Sequence, residues 1–282
     1  AEVALNKAVE LYPKSPQALF FLAETEAALK ENKKAMEFFN KAIALDTTNA
    51  RAFKGRGKIK AIMEDYYGSI TDFSKALALD RHISRINTGA QTLGIAIPTK
   101  EALAIAVTKL LHATTDISLG RMRITISGSG NLLITHHSYK EWSEPARLVT
   151  YPYPFNAKSP LQKVKSTSYG EYLLAYSYAQ DRNADDALLF NTEDSVMESS
   201  TANIAALLGG KWVTPPLSAG PLPGITRELL IEWELLTERE LIFEELQRCE
   251  SIALISSLRS VQPVAEINGR KFKVSGKVEE IS

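Results

Sequence analysis

The stretch Lys163–Ala179, KVKSTSYGEYLLAYSYA, decides how this chain is read, together with Val196–Ile204, VMESSTANI, and Thr214–Arg227, TPPLSAGPLPGITR. In the first, Lys165 is followed by Ser166, Thr167, Ser168 and Tyr169, and the run then reads as a helix from Tyr169 to about Asp181. The second sets a single acid, Glu198, in a short strand that ends in serines. The third closes on Gly224, a glycine-led turn that opens a helix, and such a start points backbone N–H groups and the positive end of the helix dipole at an anion. An amine, an acid and an anion-binding helix start therefore follow one another along one segment.

Around these stretches the pattern is that of a mixed α+β unit. DALLFN, SVMESS, NIAALLGG, KWVTPP and ALISS read as short strands punctuated by Gly and Pro, and GITRELLIEWELL reads as a helix. Upstream, LDRHISRINTGAQTLGI runs helically to Gly94, and PTKEALAIAVTKLLHAT gives a second amphipathic helix. RMRITISG and NLLITHHS then alternate as paired strands with Gly128 and Gly130 in the turn. The Tyr- and Pro-bearing stretch 151–160, YPYPFNAKSP, reads as a stiff crossover, after which a larger domain begins near Leu161.

The first eighty residues differ. Lys7, Lys41 and Lys75 recur 34 residues apart, with Ala8, Ala42 and Ala76 and then Leu11, Leu45 and Leu79 in phase behind them. Phe39 and Phe73 share the spacing, and Ala23 aligns with Gly57, where two helices must approach closely. This segment resembles the tetratricopeptide family, with a half repeat at 1–14 and repeats near 15–48 and 49–80. The resemblance implies a groove for a peptide or protein partner, with Asn49, Lys54 and Lys58 as candidate contacts for an acidic peptide terminus. The plain reading of those residues is a solvated surface.

Composition sets limits. The chain has 282 residues, 45% of them hydrophobic, enough for two cored domains. Lysine plus arginine equals aspartate plus glutamate at 33 each, so no overall charge steers the molecule toward nucleic acid or an acidic membrane. The longest apolar runs, such as ALAIAV at 102–107, fall well short of a membrane span, and the N-terminus has no signal-like pattern. With one cysteine, Cys249, no internal disulfide framework exists. The expectation is a cytoplasmic protein without membrane or nucleic-acid partners. His82, His112, His136 and His137 lack zinc spacing, no G-x-S-x-G elbow is present, and SGSGN is a hairpin turn, not a dinucleotide loop. No metal is expected.

Residues 79–282 are similar to the fold-type IV pyridoxal phosphate enzymes, the class IV aminotransferase and 4-amino-4-deoxychorismate lyase family. The residues that carry the resemblance are the His82–Arg85 helix phrase, KSTSY at 165–169, VMESSTAN at 196–203, PGITR at 223–227, and SSLRSVQPVAEING at 256–269. The last phrase is nearer the lyase branch. The fold class implied is an all-α repeat array joined to an incomplete fold-type IV enzyme with small and large α+β domains, at 1–80, 81–150 and 151–282.

The resemblance also implies a site. The cofactor is pyridoxal 5'-phosphate, and Lys165 is its Schiff-base lysine and catalytic proton shuttle, with burial in a cofactor cleft expected to favour the neutral amine. Tyr169 bonds the cofactor phenolate, Glu198 the ring nitrogen, and Asn203 supports the adjoining loop. Ile225 and Thr226 give amides, and Thr226 and Ser257 hydroxyls, to the phosphate. Arg227 is expected to face outward or to serve stability. The plain alternatives are a surface lysine, a core tyrosine, a glutamate in a polar turn, turn capping by Asn203, and an ordinary helix cap at Gly224.

Relative to the family, about forty residues ahead of the small-domain helix are replaced, and with them the arginine expected to grip the phosphate. Arg51 and Arg56 belong to the repeats, and Arg81 and Arg85 to the family helix, so no substitute is assigned. The activity implied is a lyase releasing pyruvate and 4-aminobenzoate, a step of folate biosynthesis. The alternatives are an amino-acid aminotransferase, or a non-catalytic scaffold with a remnant domain. A small amino-acid or aminodeoxychorismate-like substrate and a homodimer go with it.

Overall fold

The computed structural model describes residues 2–47, 49–63, 65, 79–114, 116–117, 120–140, 142–274, 278 and 281. The chain forms two compact units, residues 1–84 and 85–282.

In the first unit, α1 (Glu2–Leu11), α2 (Pro16–Ala28), α3 (Asn32–Leu45) and α4 (Ala50–Ile62) follow one another. Local chemistry sets their starts. The Ser15 hydroxyl accepts from the Ala18 amide ahead of Pro16, and Asn49 Oδ1 accepts from the Ala52 amide at 2.9 Å. Asn49 thus spends its side chain on a cap, not on a ligand. Leu19, Phe20, Ala23, Ala35, Phe39, Ala42, Phe53 and Ile59 form the core. The tightest approach is at Gly55, where an added Cβ would stand 2.3 Å from the Phe39 ring. These helices do not by themselves make a repeat array. Leu11 and Leu45, expected in phase, are exposed at 66% and 45%. Phe73, Lys75 and Ala76 lie outside the described residues.

Helix α5 (Leu79–Leu93) ends at Gly94, whose φ of +65° is the left-handed turn glycine tolerates. Helix α6 (Lys100–Ala113) follows, capped by Thr99 Oγ1. β1 (Gly120–Ile126) and β2 (Leu132–Ser138) pair antiparallel as the spacing predicts. His136 Nδ1 lies 2.7 Å from Thr114 Oγ1, tying this hairpin to the end of α6.

The large sheet has nine strands: β3 (Ala146–Thr150), β4 (Asp186–Phe190), β5 (Val196–Ser199), β6 (Asn203–Leu208), β7 (Lys211–Thr214), β8 (Thr237–Glu238), β9 (Ser251–Ser256), β10 (Ser260–Ile267) and β11 (Arg270–Lys271). They run in the order β5-β4-β3-β10-β9-β6-β7-β8, with β11 on β10. β3 lies parallel to both β4 and β10, so the sheet begins before the Tyr-Pro stretch and not after it. Helices α7 (Gly170–Gln180), α8 (Ile225–Glu232) and α9 (Phe243–Leu246) complete the unit. Side chains alternate across the sheet: Ile204 and Ala206 join Ile252 and Leu254 in one core, while Ala205 and Leu207 join Ala253 and Ile255 in another. Because both faces are covered, the strands that carry the site's polar groups are rigidly held.

Candidate active site

Lys165 lies in the turn before α7, with its Nζ 5.4 Å from the centre of the Tyr169 ring. The side chain is exposed, so the burial expected to favour its neutral amine is absent. Tyr169 is the N-cap residue of α7, and its ring meets that of Tyr172 edge-on at 5.8 Å. The Tyr169 hydroxyl is buried and has no hydrogen-bond partner among the described residues. An orphaned buried hydroxyl is costly, and it marks a place where a polar group fits.

Glu198 sits in β5, 3% exposed. Its Oε1 accepts from the Tyr172 hydroxyl at 2.9 Å, and its Oε2 accepts from Asn203 Nδ2 at 3.0 Å and from the Leu222 amide at 3.1 Å. Burial pushes its carboxyl up to about 7, while the Tyr172 and Leu222 bonds and the charge of Lys165 act the other way. The Tyr172 hydroxyl is pushed up by burial and by Glu198. The carboxyl is therefore poised between its two protonation states at neutral pH, and its neighbours include the Lys165 amine.

Asn203, at the start of β6, also donates to the Leu222 carbonyl at 2.9 Å. A Cβ at Gly224 would stand 1.9 Å from Asn203 Oδ1, so only glycine lets the turn ahead of α8 lie this close. The N-cap residue of α8 is Gly224, which has no side chain to give its first amides. Its first residues are Ile225, buried, and Thr226, half-buried, so the helix start keeps amides for an anion. Ser257 is exposed in the turn after β9. Arg227 points inward, not outward: it is buried, donates to the Pro215 carbonyl at 2.9 Å and pairs with Glu238.

Arg85 is the residue that sequence reasoning missed. Its guanidinium donates to the Pro223 carbonyl at 3.1 Å, next to Gly224, and burial pushes its pKa down against the opposing pull of Tyr169 and Glu228. A cation thus stands beside the turn that opens α8. No local pattern gives this, since the two ends of the bond are 138 residues apart in sequence.

Behind Glu198 lies a second buried cluster. Asp186 accepts from Ser199 Oγ at 3.0 Å and from the Ser200 and Thr201 hydroxyls, and pairs with Arg259 at 3.0 Å. Arg259 in turn bonds Gln262 and lies over the Trp142 ring at 4.2 Å. The serines that follow Glu198 are therefore anchors of its loop. Among the described residues, no group of three His, Cys, Asp or Glu side chains could hold a metal ion.

The fold thus gathers a buried phenol without a partner among the described residues, a buried acid, an amine among that acid's electrostatic neighbours and an arginine beside a glycine-led helix start. The chain belongs to the Amino-transferase class IV family, whose sequence model matches residues 71–267. It is 29% identical over 190 residues to a protein of Schizosaccharomyces pombe carried as a provisional aminodeoxychorismate lyase, covering 65% of this chain and 81% of that one. It is 25% identical over 224 residues to Branched-chain-amino-acid aminotransferase-like protein 2 of Arabidopsis thaliana, covering 70% of this chain but 39% of the relative. The crystal structure of a branched-chain aminotransferase from Thermoproteus uzoniensis with norvaline superposes with a TM-score of 0.63 at 25% identity, covering 71% of this chain and 75% of that one. The α+β core is that of fold-type IV enzymes, and its cofactor is pyridoxal 5'-phosphate. Among the described residues, no helix is long and apolar enough to cross a membrane.

Proposed function

We propose that the chain is a pyridoxal phosphate enzyme acting on an amino-acid-type substrate, with amino-group transfer to a keto acid as the first reading. The observation that carries it is the buried Glu198 carboxylate, held by three donors, with the Lys165 amine among its electrostatic neighbours. When bound, the cofactor supplies an aldehyde that condenses with amines and a ring that takes up the electron pair left when the substrate loses a proton. Lys165 would hold it covalently and then move the proton at the substrate α-carbon. Glu198 would keep a proton at the ring nitrogen, with Asn203 orienting Glu198, and the Tyr169 hydroxyl would meet the phenolic oxygen. The Ile225 and Thr226 amides, the Thr226 and Ser257 hydroxyls and Arg85 would bind the phosphate.

A second reading is lyase chemistry, in which aminodeoxychorismate yields pyruvate and 4-aminobenzoate. It is favoured by the Schizosaccharomyces pombe relative, 81% of which this chain spans, and by the Ser257-Leu258-Arg259 phrase. The purified protein, reconstituted with cofactor, is assayed with amino-acid and keto-acid pairs and separately with aminodeoxychorismate. Turnover of a pair supports the first reading and pyruvate release the second. A cofactor-loaded protein that turns over neither is a non-catalytic scaffold.

A homodimer goes with this reading, supported by Leu173 and Leu174, which stand exposed on α7. A reducing, cytosolic compartment is supported by the single cysteine. For the helical unit, a cluster of basic side chains supports an acidic peptide as partner. Arg51, Lys54 and Lys58 line an open cavity of about 210 Å³ there, beside Phe20 and Glu24.

A further inference from the structure

Glu198 has four acceptor positions, two on each oxygen. Oε2 uses both, on Asn203 Nδ2 and on the Leu222 amide. Oε1 uses one, on the Tyr172 hydroxyl. Among the described residues one position is left, and it lies on Oε1. The Tyr172 hydroxyl is itself fixed, because it accepts from Gln162 Nε2 at 2.7 Å and its ring is clamped between Phe155, at 5.0 Å, and Tyr169. Gln162 is buried, and its amide also lies 3.6 Å from Met197 Sδ, one residue before Glu198 in β5. Tyr172 comes from α7 and Gln162 from the turn that precedes Lys165, so the same short stretch carries the amine and aims the acid.

We propose that Tyr172, held by Gln162, is a positioning residue that shares Glu198 Oε1 with the ring nitrogen of the cofactor and so fixes which carboxylate oxygen meets the ring. The inference rests on the reading of Glu198 as the ring-nitrogen partner and adds the atom and the device that orients it. Without the Tyr172 hydroxyl, Oε1 has two open positions and one restraint fewer, and the carboxylate can turn away from the ring. Phe155 and Tyr169 would still pack on the ring of a phenylalanine, so Tyr172→Phe removes only the hydrogen bonds.

The test compares cofactor binding by the unaltered protein, Tyr172→Phe and Gln162→Leu, followed by tryptophan fluorescence. Two probes are used: pyridoxal 5'-phosphate, and its 1-deaza analogue, which has a C–H in place of the ring nitrogen. Because the hydrogen bond removed is made to a charged group, Tyr172→Phe is expected to weaken pyridoxal phosphate roughly tenfold. Binding of the deaza analogue is expected to change less than about twofold, since it makes no ring-nitrogen bond to lose. Gln162→Leu should act in the same direction by a smaller factor, and it gives an independent reading should the first variant fold poorly. Equal losses with both probes would show a general structural role and overturn the proposal, as would undiminished binding of pyridoxal phosphate. If the unaltered protein binds the two probes equally well, Glu198 does not serve the ring nitrogen, and the parent reading falls together with this inference.

Discussion

The interior of the helical unit is almost wholly carbon, whereas the interior of the sheet unit is threaded with polar groups. Among the described residues of the first, Glu26 is the one buried charged side chain, and Lys34 reaches it only at 3.9 Å. The second buries Asp186, Glu198, Arg227 and Arg259, each hydrogen-bonded, along with Gln162, Asn203 and Gln262. Stability alone does not call for such groups, since apolar replacements of buried ion pairs are often as stable. They mark where the chain holds chemistry in place. The helical unit reads as packing, and the sheet unit as packing built around a site.

The largest effect should come from the amine. Lys165→Ala is expected to abolish the borohydride-reducible absorbance band of the cofactor-loaded protein and to lower turnover on the order of 10³-fold or more. A band that survives in this variant would move the covalent link to another lysine. It would also take the carbon–polar contrast out of the functional argument.

Paired core variants probe the contrast directly. Phe39→Ala should cost about 3–5 kcal/mol in the helical unit, read by thermal unfolding, and leave the cofactor band unchanged. Arg259→Met leaves the Asp186 carboxylate buried without its cation and should cost about 3–5 kcal/mol as well. It differs in that the band should weaken too, because the Ser199–Thr201 loop that follows Glu198 hangs on Asp186. If Arg259→Met lowers the melting temperature but spares cofactor affinity, the buried polar cluster is a fold device only.

How much of this could be read beforehand follows the same division. The placements of Lys165, Glu198 and the Gly224 turn are legible because each depends on a short local pattern: a lysine before a helix, an acid in a strand, a glycine where a helix opens. That of Arg85 is not, because its partner at Pro223 is brought to it by the fold, and arginines in helices are common. The Asp186–Arg259 pair is 73 residues apart and was equally hidden. β3 went unread because ARLVT is short and lies beside the Tyr-Pro stretch, and its neighbours β4 and β10 are distant in sequence. In the helical unit the in-phase leucines misled, since spacing gives a face of a helix but not whether that face is covered.

Glu198 ties the polar interior to pH. Its carboxyl stands at about 7 against an ordinary 4.5, so between those values the folded, cofactor-free protein keeps a proton that the unfolded chain has released. Its contribution is therefore fully present below about pH 4.5 and is lost as pH rises through about 7. The loss is on the order of 3 kcal/mol. Glu198→Gln, which has no proton to release, should flatten that part of the profile. Urea unfolding of both proteins at pH 5, 6, 7 and 8 measures the difference. A parallel profile for the two would mean that the carboxylate is better solvated than its burial implies.

The smallest effect expected is at the phosphate end, and it separates a cation that binds from one that only braces. Arg85 donates to the Pro223 carbonyl beside Gly224, so it has a structural bond whether or not it also meets an anion. Arg85→Gln keeps a side-chain donor within reach of that carbonyl while removing the charge. Removing one charge-assisted hydrogen bond to a phosphate lowers affinity by about tenfold or somewhat more. The informative comparison is between pyridoxal 5'-phosphate and pyridoxal, which lacks the phosphate. Weaker binding of the first with unchanged binding of the second places the guanidinium on the phosphate. A matched loss for both would assign Arg85 to bracing the turn, and the anion would then rest on the amides of Ile225 and Thr226 and on the hydroxyls of Thr226 and Ser257.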